Sequence, residues 1–186
     1  MSVIRVASRY AKSLLELSVE KGELEAVHQD MIKLLKMGRS NRDLTVMLQS
    51  PVIESEKKLN VLKALFAKDV SPLTITYFNV LSQKGRENVL LASAKEFHKL
   101  YNIHKGIQEA EIVTTFPIDE ELRKSFIGIV KEISGKGSVE LIEKTEKDLI
   151  GGFVLTIGDR QIDESLNSKL KMLQLKFTQN LYEKKY

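Results

Sequence analysis

Three histidines, His28, His98 and His104, are the side chains best suited to acid–base chemistry or metal ligation in this sequence. His98 and His104 stand six residues apart and fall on different faces of a helix, so they do not form the i,i+4 pair of a helical zinc site. No acidic partner stands beside them, and all three read as surface histidines. There is no cysteine, which excludes disulfides, thiolate metal sites and thiol nucleophiles. Phosphate chemistry needs a glycine-rich loop between a strand and a helix N-terminus. Gly135-Lys136-Gly137 is too short for that, and no G-x-x-x-x-G-K-[ST] run occurs. Gly151-Gly152 comes before an apolar strand, Phe153–Ile157, which is the wrong order. These glycines read as backbone relief, a bulge or tight entry where no Cβ fits. No G-x-S-x-G elbow is present, and the carboxylates lie in charged stretches that read as solvated. No catalytic residue, metal ligand, cofactor site or cofactor is assigned.

The elements carrying these residues divide in two. Residues 1–105 read as six helices with short links. Val3 to about Glu20 has helical apolar spacing and ends at Gly22; Glu23 to Met37 is closed by Gly38. Ser40 stands three residues before Asp43 as a variant capping box for a short helix that stops before Pro51. Glu54–Phe66 follows. Ser71-Pro72 opens a fifth helix, with Ser as cap and Pro at the first helical position, which runs to Lys84. Glu87 to Lys105 is the sixth. Such a set makes a bundle.

After Gly106 the texture changes. Ile107–Phe116 is rich in Ile, Val and Thr and reads as a strand closed by Pro117. Asp119 caps a helix to about Ser134, and Val139–Thr145 and Phe153–Ile157 read as further strands. Gly158-Asp159 is a reversal, and Asp163 caps a last helix whose stripe is Leu166, Leu170, Leu173, Phe177 and Leu181. The expected fold is mainly α: a six-helix bundle over 1–105, then a small α+β unit over 106–186. About eighty residues bury a thin core, so the second unit is expected to lean on the first or on a partner.

Net charge is +4. Residues 1–105 carry 17 Lys/Arg against 11 Asp/Glu, and residues 106–186 carry 12 against 14. The basic half leaves one alternative function, a helical adaptor that binds nucleic acid. Against it, Lys and Arg are interspersed with acids and no run exceeds two. No stretch approaches the ~18 uncharged apolar residues of a membrane helix. The N-terminal MSVIRVASRYAKSLLELSVEKG has charges inside its apolar pattern and does not read as a secretory signal. Direct membrane insertion is not expected.

Two helices carry more apolar surface than a bundle needs. At 100° per residue the apolar residues of the first, from Val3 to Val19, sweep roughly 220°, against the ~100° of an ordinary amphipathic helix. The fifth has no charge from Val70 to Gln83. Either these are central helices wrapped by the others, or they jointly line an apolar groove for an amphipathic helix of another chain.

Three segments resemble the delta-subunit family of F-type ATP synthase, whose mitochondrial counterpart is the oligomycin-sensitivity-conferring protein. Ala7-Ser8-Arg9-Tyr10-Ala11-Lys12 is similar to the family's A-x-x-Y-A-x-A/S segment. Lys84-Gly85-Arg86 matches its N/K-G-R link. Leu149-Ile150-Gly151-Gly152-Phe153, followed by Gly158-Asp159 and Ile162-Asp163-Glu164-Ser165, matches its strand and G-D-x-x-I-D-x-S signature. Glu164 departs from the Gly of many relatives, and Asn88 from a usual apolar residue. The resemblance implies a non-catalytic stator component on the cytoplasmic face of the cell membrane. It would receive N-terminal helices of alpha subunits in a groove between the first and fifth helices, and the C-terminal ends of the b subunits on its second unit. Carried over by position, the groove candidates are Ile4, Ala7, Tyr10, Ala11, Leu14, Tyr77, Phe78 and Leu81. The structural signature is Gly151, Gly152, Gly158, Asp159 and Asp163.

Overall fold

The computed structural model describes residues 3–66 and 70–179 and divides the chain into two units, Met1–His104 and Lys105–Tyr186. The first holds α1 (Val3–Glu20), α2 (Leu24–Ser40), α3 (Arg42–Gln49), α4 (Ser55–Phe66), α5 (Pro72–Gln83) and, after a 3-10 turn at Glu87–Val89, α6 (Leu90–Lys105). At the junction of α2 and α3 the boundaries differ from expectation. Helix α2 runs through Gly38 to Ser40. Gly38 lies so close to α6 that an added Cβ would sit 2.7 Å from a Leu91 methyl carbon; it permits close approach and does not end the helix. The Ser40 hydroxyl donates back to the Lys36 and Met37 carbonyls, so the cap of α3 is Asn41, whose Oδ1 accepts the Asp43 N–H at 3.2 Å.

Helix α5 explains the arrangement. Leu73, Thr74, Tyr77, Phe78, Leu81 and Ser82 are all buried, with Phe78 edge-on to Phe66 at 5.5 Å between ring centroids. Its N-terminus is held by acids from the α2 region. Ser71 caps the Leu73 N–H at 3.2 Å and donates its hydroxyl to Glu23 at 2.6 Å. Asp30 Oδ2 accepts the Ser71 N–H at 3.0 Å and the Thr74 hydroxyl at 2.7 Å. Negative charge at the positive end of the helix dipole is stabilising. Asp30 and Glu87 are both buried, so the carboxylates are not all solvated as the sequence suggested. Lys58, also buried, donates to the Leu48 carbonyl at 3.3 Å and stands 3.8 Å from Glu87, tying the end of α3 to α4 and the 3-10 turn.

The second unit is α+β: β1 (Ile107–Thr114), α7 (Glu120–Ser134), β2 (Ser138–Thr145), β3 (Phe153–Ile157), β4 (Arg160–Asp163) and α8 (Leu166–Gln179). The sheet order is β2-β1-β3-β4. Strand β1 pairs in parallel with β2, Ile107 opposite Ser138, and antiparallel with β3, Ala110 opposite Ile157. Alternate residues Ala110, Ile112, Leu155 and Ile157 face α7 and bury Phe126 and Val130 beneath it. Arg123 of α7 pairs with Glu143 of β2 at 2.9 Å. Strand β4 was not expected; its four residues show no apolar run, and only the turn at Gly158 and pairing with β3 create it. Asp119 occupies the cap position of α7 without a side-chain cap bond.

Replacing Asp30 with Ala leaves the buried Thr74 hydroxyl and the Ser71 N–H without their anionic acceptor. A loss of about 2–3 kcal/mol from the first unit is expected, on the scale of hydrogen bonds to charged groups, and urea unfolding of the full chain measures it.

Candidate partner-binding site

On α1 the buried residues Ala7, Ala11, Leu14 and Ser18 form one narrow stripe. Of the eight groove candidates, Ala7, Ala11, Leu14, Tyr77, Phe78 and Leu81 belong to the hydrophobic core. They hold the bundle together and offer no free surface; α5 is thus the wrapped central helix for most of its circumference. Only Ile4, 66% exposed, and the half-buried Tyr10 remain at the surface, and they lie on opposite flanks of the α1 stripe. At 100° per residue Val3, Val6 and Leu17 share the Tyr10 flank, whereas Leu15 and Val19 share the Ile4 flank.

The Tyr10 flank of α1 reaches the 3-10 turn that follows α5. Tyr10 Oη accepts from the Arg86 guanidinium at 2.9 Å, and Arg86 immediately precedes the 3-10 turn Glu87–Val89. Tyr77 of α5 donates to Ser93 of α6 at 2.8 Å. Burial pushes the Tyr77 phenol up to about 12. The exposed strip of α5 is Pro72, Thr76, Val80 and Gln83. Outside the core, α1 leaves Val3 and Leu17 exposed on the Tyr10 flank, and α5 leaves Thr76 and Val80 exposed. Sequence spacing indicated the two helices; the Tyr10–Arg86 contact is a side-chain pairing across 76 residues that no periodicity reports.

The histidines also stand elsewhere than expected. His28 is buried and hydrogen-bonds to the half-buried His98, Nε2 to Nδ1, at 3.0 Å; only His104 is exposed. Among the described residues no group of three or more acidic or histidine side chains is placed to hold a metal ion, and no helix is long and apolar enough to cross a membrane.

In the second unit three of the signature residues, Gly151, Gly152 and Asp163, meet at the start of α8. Gly152 has φ of +80°, and a Cβ there would sit 2.3 Å from the Glu164 carbonyl oxygen. The Gly151 carbonyl accepts the Leu166 N–H at 3.0 Å, and the Phe153 carbonyl accepts the Glu164 N–H at 3.0 Å. Gly158 makes the turn into β4 at φ of +61°, with Asp159 beside it. Asp163 ends β4 and does not itself cap α8. Its Oδ1 accepts the Ser165 N–H at 2.9 Å and its Oδ2 the Ser168 hydroxyl at 2.6 Å, while Ser165 Oγ caps the Ser168 N–H at 3.2 Å. Bonds from Ser168 and Ser165 hold the Asp163 carboxyl below the usual carboxylate range. Beyond this pinch α8 exposes its apolar stripe: Leu166, Leu170, Leu173 and Phe177 are 46%, 57%, 49% and 72% exposed. Leu181, expected on the same stripe, lies outside the described residues. Helix α8 has Lys169, Lys171 and Lys176 and no acid.

The profile of the family described as ATP synthase delta (OSCP) subunit matches residues 6–177. The chain is similar to the ATP synthase subunit delta of Cytophaga hutchinsonii, 39% identical over 97% of this chain and 98% of that protein. It is 36% identical to the protein of the same name from Amoebophilus asiaticus, over 95% of this chain and 96% of that one. Among solved structures, a chain of the Toxoplasma gondii mitochondrial ATP synthase hexamer has the same fold. Its TM-score is 0.76 at 21% identity, over 92% of this chain and 97% of that one.

Gly152→Ala is expected to cost the second unit at least about 2 kcal/mol, because it combines a left-handed backbone with a clash against backbone atoms. Gly137→Ala, which meets nothing within 4 Å, is the neutral control; thermal unfolding compares the two. The Asp163 carboxylate contributes stability at neutral pH that is lost as pH falls through its lowered pKa. Asp163→Asn therefore flattens the acid dependence of amide protection in the first turn of α8, measured by hydrogen exchange.

Proposed function

The chain belongs to the ATP synthase delta (OSCP) subunit family, and we infer its working contacts from that premise together with the two surfaces described above. It is a stator component, linking the catalytic head of the ATP synthase to the peripheral stalk. The family match over nearly the whole length carries this conclusion, and it leaves the nucleic-acid alternative without support. The finer reading is ours. The chain performs no catalysis of its own and works at the cytoplasmic face of the cell membrane through the complex, without inserting into the bilayer.

The first unit takes the N-terminal helix of an alpha subunit in the cleft between α1 and α5. What supports this is the combination of exposed apolar side chains on α1 and α5 with a fixed polar contact at Tyr10 and Arg86. An amphipathic helix laid there is read through anchors at i, i+3, i+4 and i+7. The C-terminal ends of the b subunits are received on the α8 stripe. Covering its four large side chains yields roughly 5–10 kcal/mol gross, before ordering costs, and its three lysines form a rim suited to an acidic-flanked partner helix. Torque from the central shaft is then resisted by two contacts on separate units, one to the head and one to the stalk.

Calorimetric titration with a peptide from the N-terminus of the alpha subunit tests the cleft. Val80→Asp and Leu17→Asp are expected to weaken binding more than tenfold, a loss of about 1.4 kcal/mol, while Ile4→Asp on the opposite flank leaves it within about twofold. Equal affinity in all three variants removes the cleft assignment. Phe78→Asp is not a usable probe, since its ring is core and the charge unfolds the bundle. A peptide from the C-terminal end of the b subunits should likewise lose affinity to Leu170→Asp and retain it with Val80→Asp.

A further inference from the structure

We propose that the outer edge of β2 pairs with the same edge of a second copy of this chain, antiparallel and with Ile142 opposite Ile142, so that two four-stranded sheets join into one. Strand β2 is an end strand of the sheet and is eight residues long. Among the described residues no strand pairs with its outer side. Such an edge presents a row of main-chain donors and acceptors to any strand that matches it. The usual protections are missing from β2. It is not short, it holds no Pro or Gly, and its register with β1 runs unbroken from Ser138 to Thr145, without a bulge. The other end strand, β4, has only four residues.

Main-chain direction limits what can pair. The Glu146 N–H donates to the Thr114 carbonyl of β1 at 2.8 Å. Direction alternates along a strand, so Ile142 and Lys144 also turn their main-chain groups to β1. Val139, Leu141, Glu143 and Thr145 turn theirs outward. Only registers that set outward residues opposite outward residues close the new ladder. Val139 and Leu141 pack toward the core under α7, which puts Glu140, Ile142 and Lys144 together on the opposite face.

Charge then selects among these registers. With Ile142 on the twofold axis, Glu140 of each copy faces Lys144 of the other. Lys144 already meets Glu111 at 2.7 Å on that face, and the new carboxylate flanks it from the other side. Leu141 faces Glu143, whose charge is matched within its own chain by Arg123 at 2.9 Å. Moving the axis to Glu143 sets two carboxylates directly opposite each other. Moving it to Leu141 sets Glu140 opposite Ile142 and gains no ion pair. Opposite charges across a strand pair are favourable and like charges unfavourable, so the Ile142 register wins. It matches this strand to itself, which singles out a second copy over an unrelated strand. Val139, Leu141 and Ile142 are half-buried in one chain, and a neighbouring strand removes more of their surface from water.

The test uses the full chain, which has no cysteine of its own. Sedimentation velocity from about 5 μM to about 500 μM is expected to show a monomer passing to a dimer by mass action. Ile142→Lys places two like charges at the axis and is expected to weaken that dimer at least about tenfold. Amide exchange at Leu141 and Glu143 slows as concentration rises, while Ile142 and Lys144 do not change. Ile142→Cys reports the register, because Cα atoms about 4.5 Å apart in such a pair lie within the span of a disulfide. On mild oxidation it is expected to crosslink into dimers, whereas Gln161→Cys on β4 stays monomeric. A chain that remains monomeric throughout overturns the proposal and leaves the edge to a strand of another protein. Equal crosslinking of the two cysteine variants overturns it as well. Should Ile142→Lys fold poorly, amide exchange in the native chain and the cysteine pair decide.

Discussion

A helix without a charged residue has nowhere to go in water except between other helices, and α5 is such a helix. Its burial sets the position of every other element in the first unit. A wrapped helix also needs its free N–H groups satisfied where solvent is scarce. Here a carboxylate from a neighbouring helix does so: Asp30 of α2 reaches the Ser71 N–H and the Thr74 hydroxyl. That contact decides which end of α2 lies beside the start of α5. It also fixes the face of α2 turned toward α6, where His28 meets His98. Val3 and Leu17 on α1 and Thr76 and Val80 on α5 remain uncovered once this packing is complete.

The two units manage polar groups differently. The first buries them in long-range pairs, Asp30 with Thr74, Tyr77 with Ser93, and Lys58 near Glu87, each joining segments far apart in sequence. Such pairs select one arrangement of similar amphipathic helices, because a misplaced partner leaves a charge or hydroxyl unsatisfied. The second unit relies on backbone ladders and close approach. At Gly152 the entry to β3 presses against the exit from β4, and a side chain would fill the space. Glycine there joins the sheet to α8 with no intervening linker.

Most element positions were legible in the sequence, because caps, prolines and turn glycines are local signals and helical spacing reports a buried face directly. The six-helix run and the change of texture after Gly106 needed nothing more. The failures share a cause. Apolar spacing on α1 and α5 marked Ala7, Ala11, Leu14, Tyr77, Phe78 and Leu81 as unusual without saying that the bundle itself uses them; periodicity is blind to the partner across the contact. His28 and His98 looked isolated because their partnership spans 70 residues. Asp163 resembled a cap by composition, yet Ser165 holds the capping geometry and Asp163 braces it. Strand β4 exists through pairing with β3, a non-local condition that four mixed residues cannot announce.

The order of strands has a mechanical meaning. Strand β1 continues covalently from α6 and lies in the interior of the sheet, bonded on one side to β2 and on the other to β3. A pull applied to α8 enters through the Gly152 constriction, passes along the β3–β4 hairpin, and reaches the rest of the chain across the five residue pairs that join β3 to β1. Those rungs act in parallel, so strain is shared among them, and α7 and β2 lie outside the line of tension. The weakest link under load is thus a known seam, and its strength scales with the number of rungs more than with the size of the small core beside it.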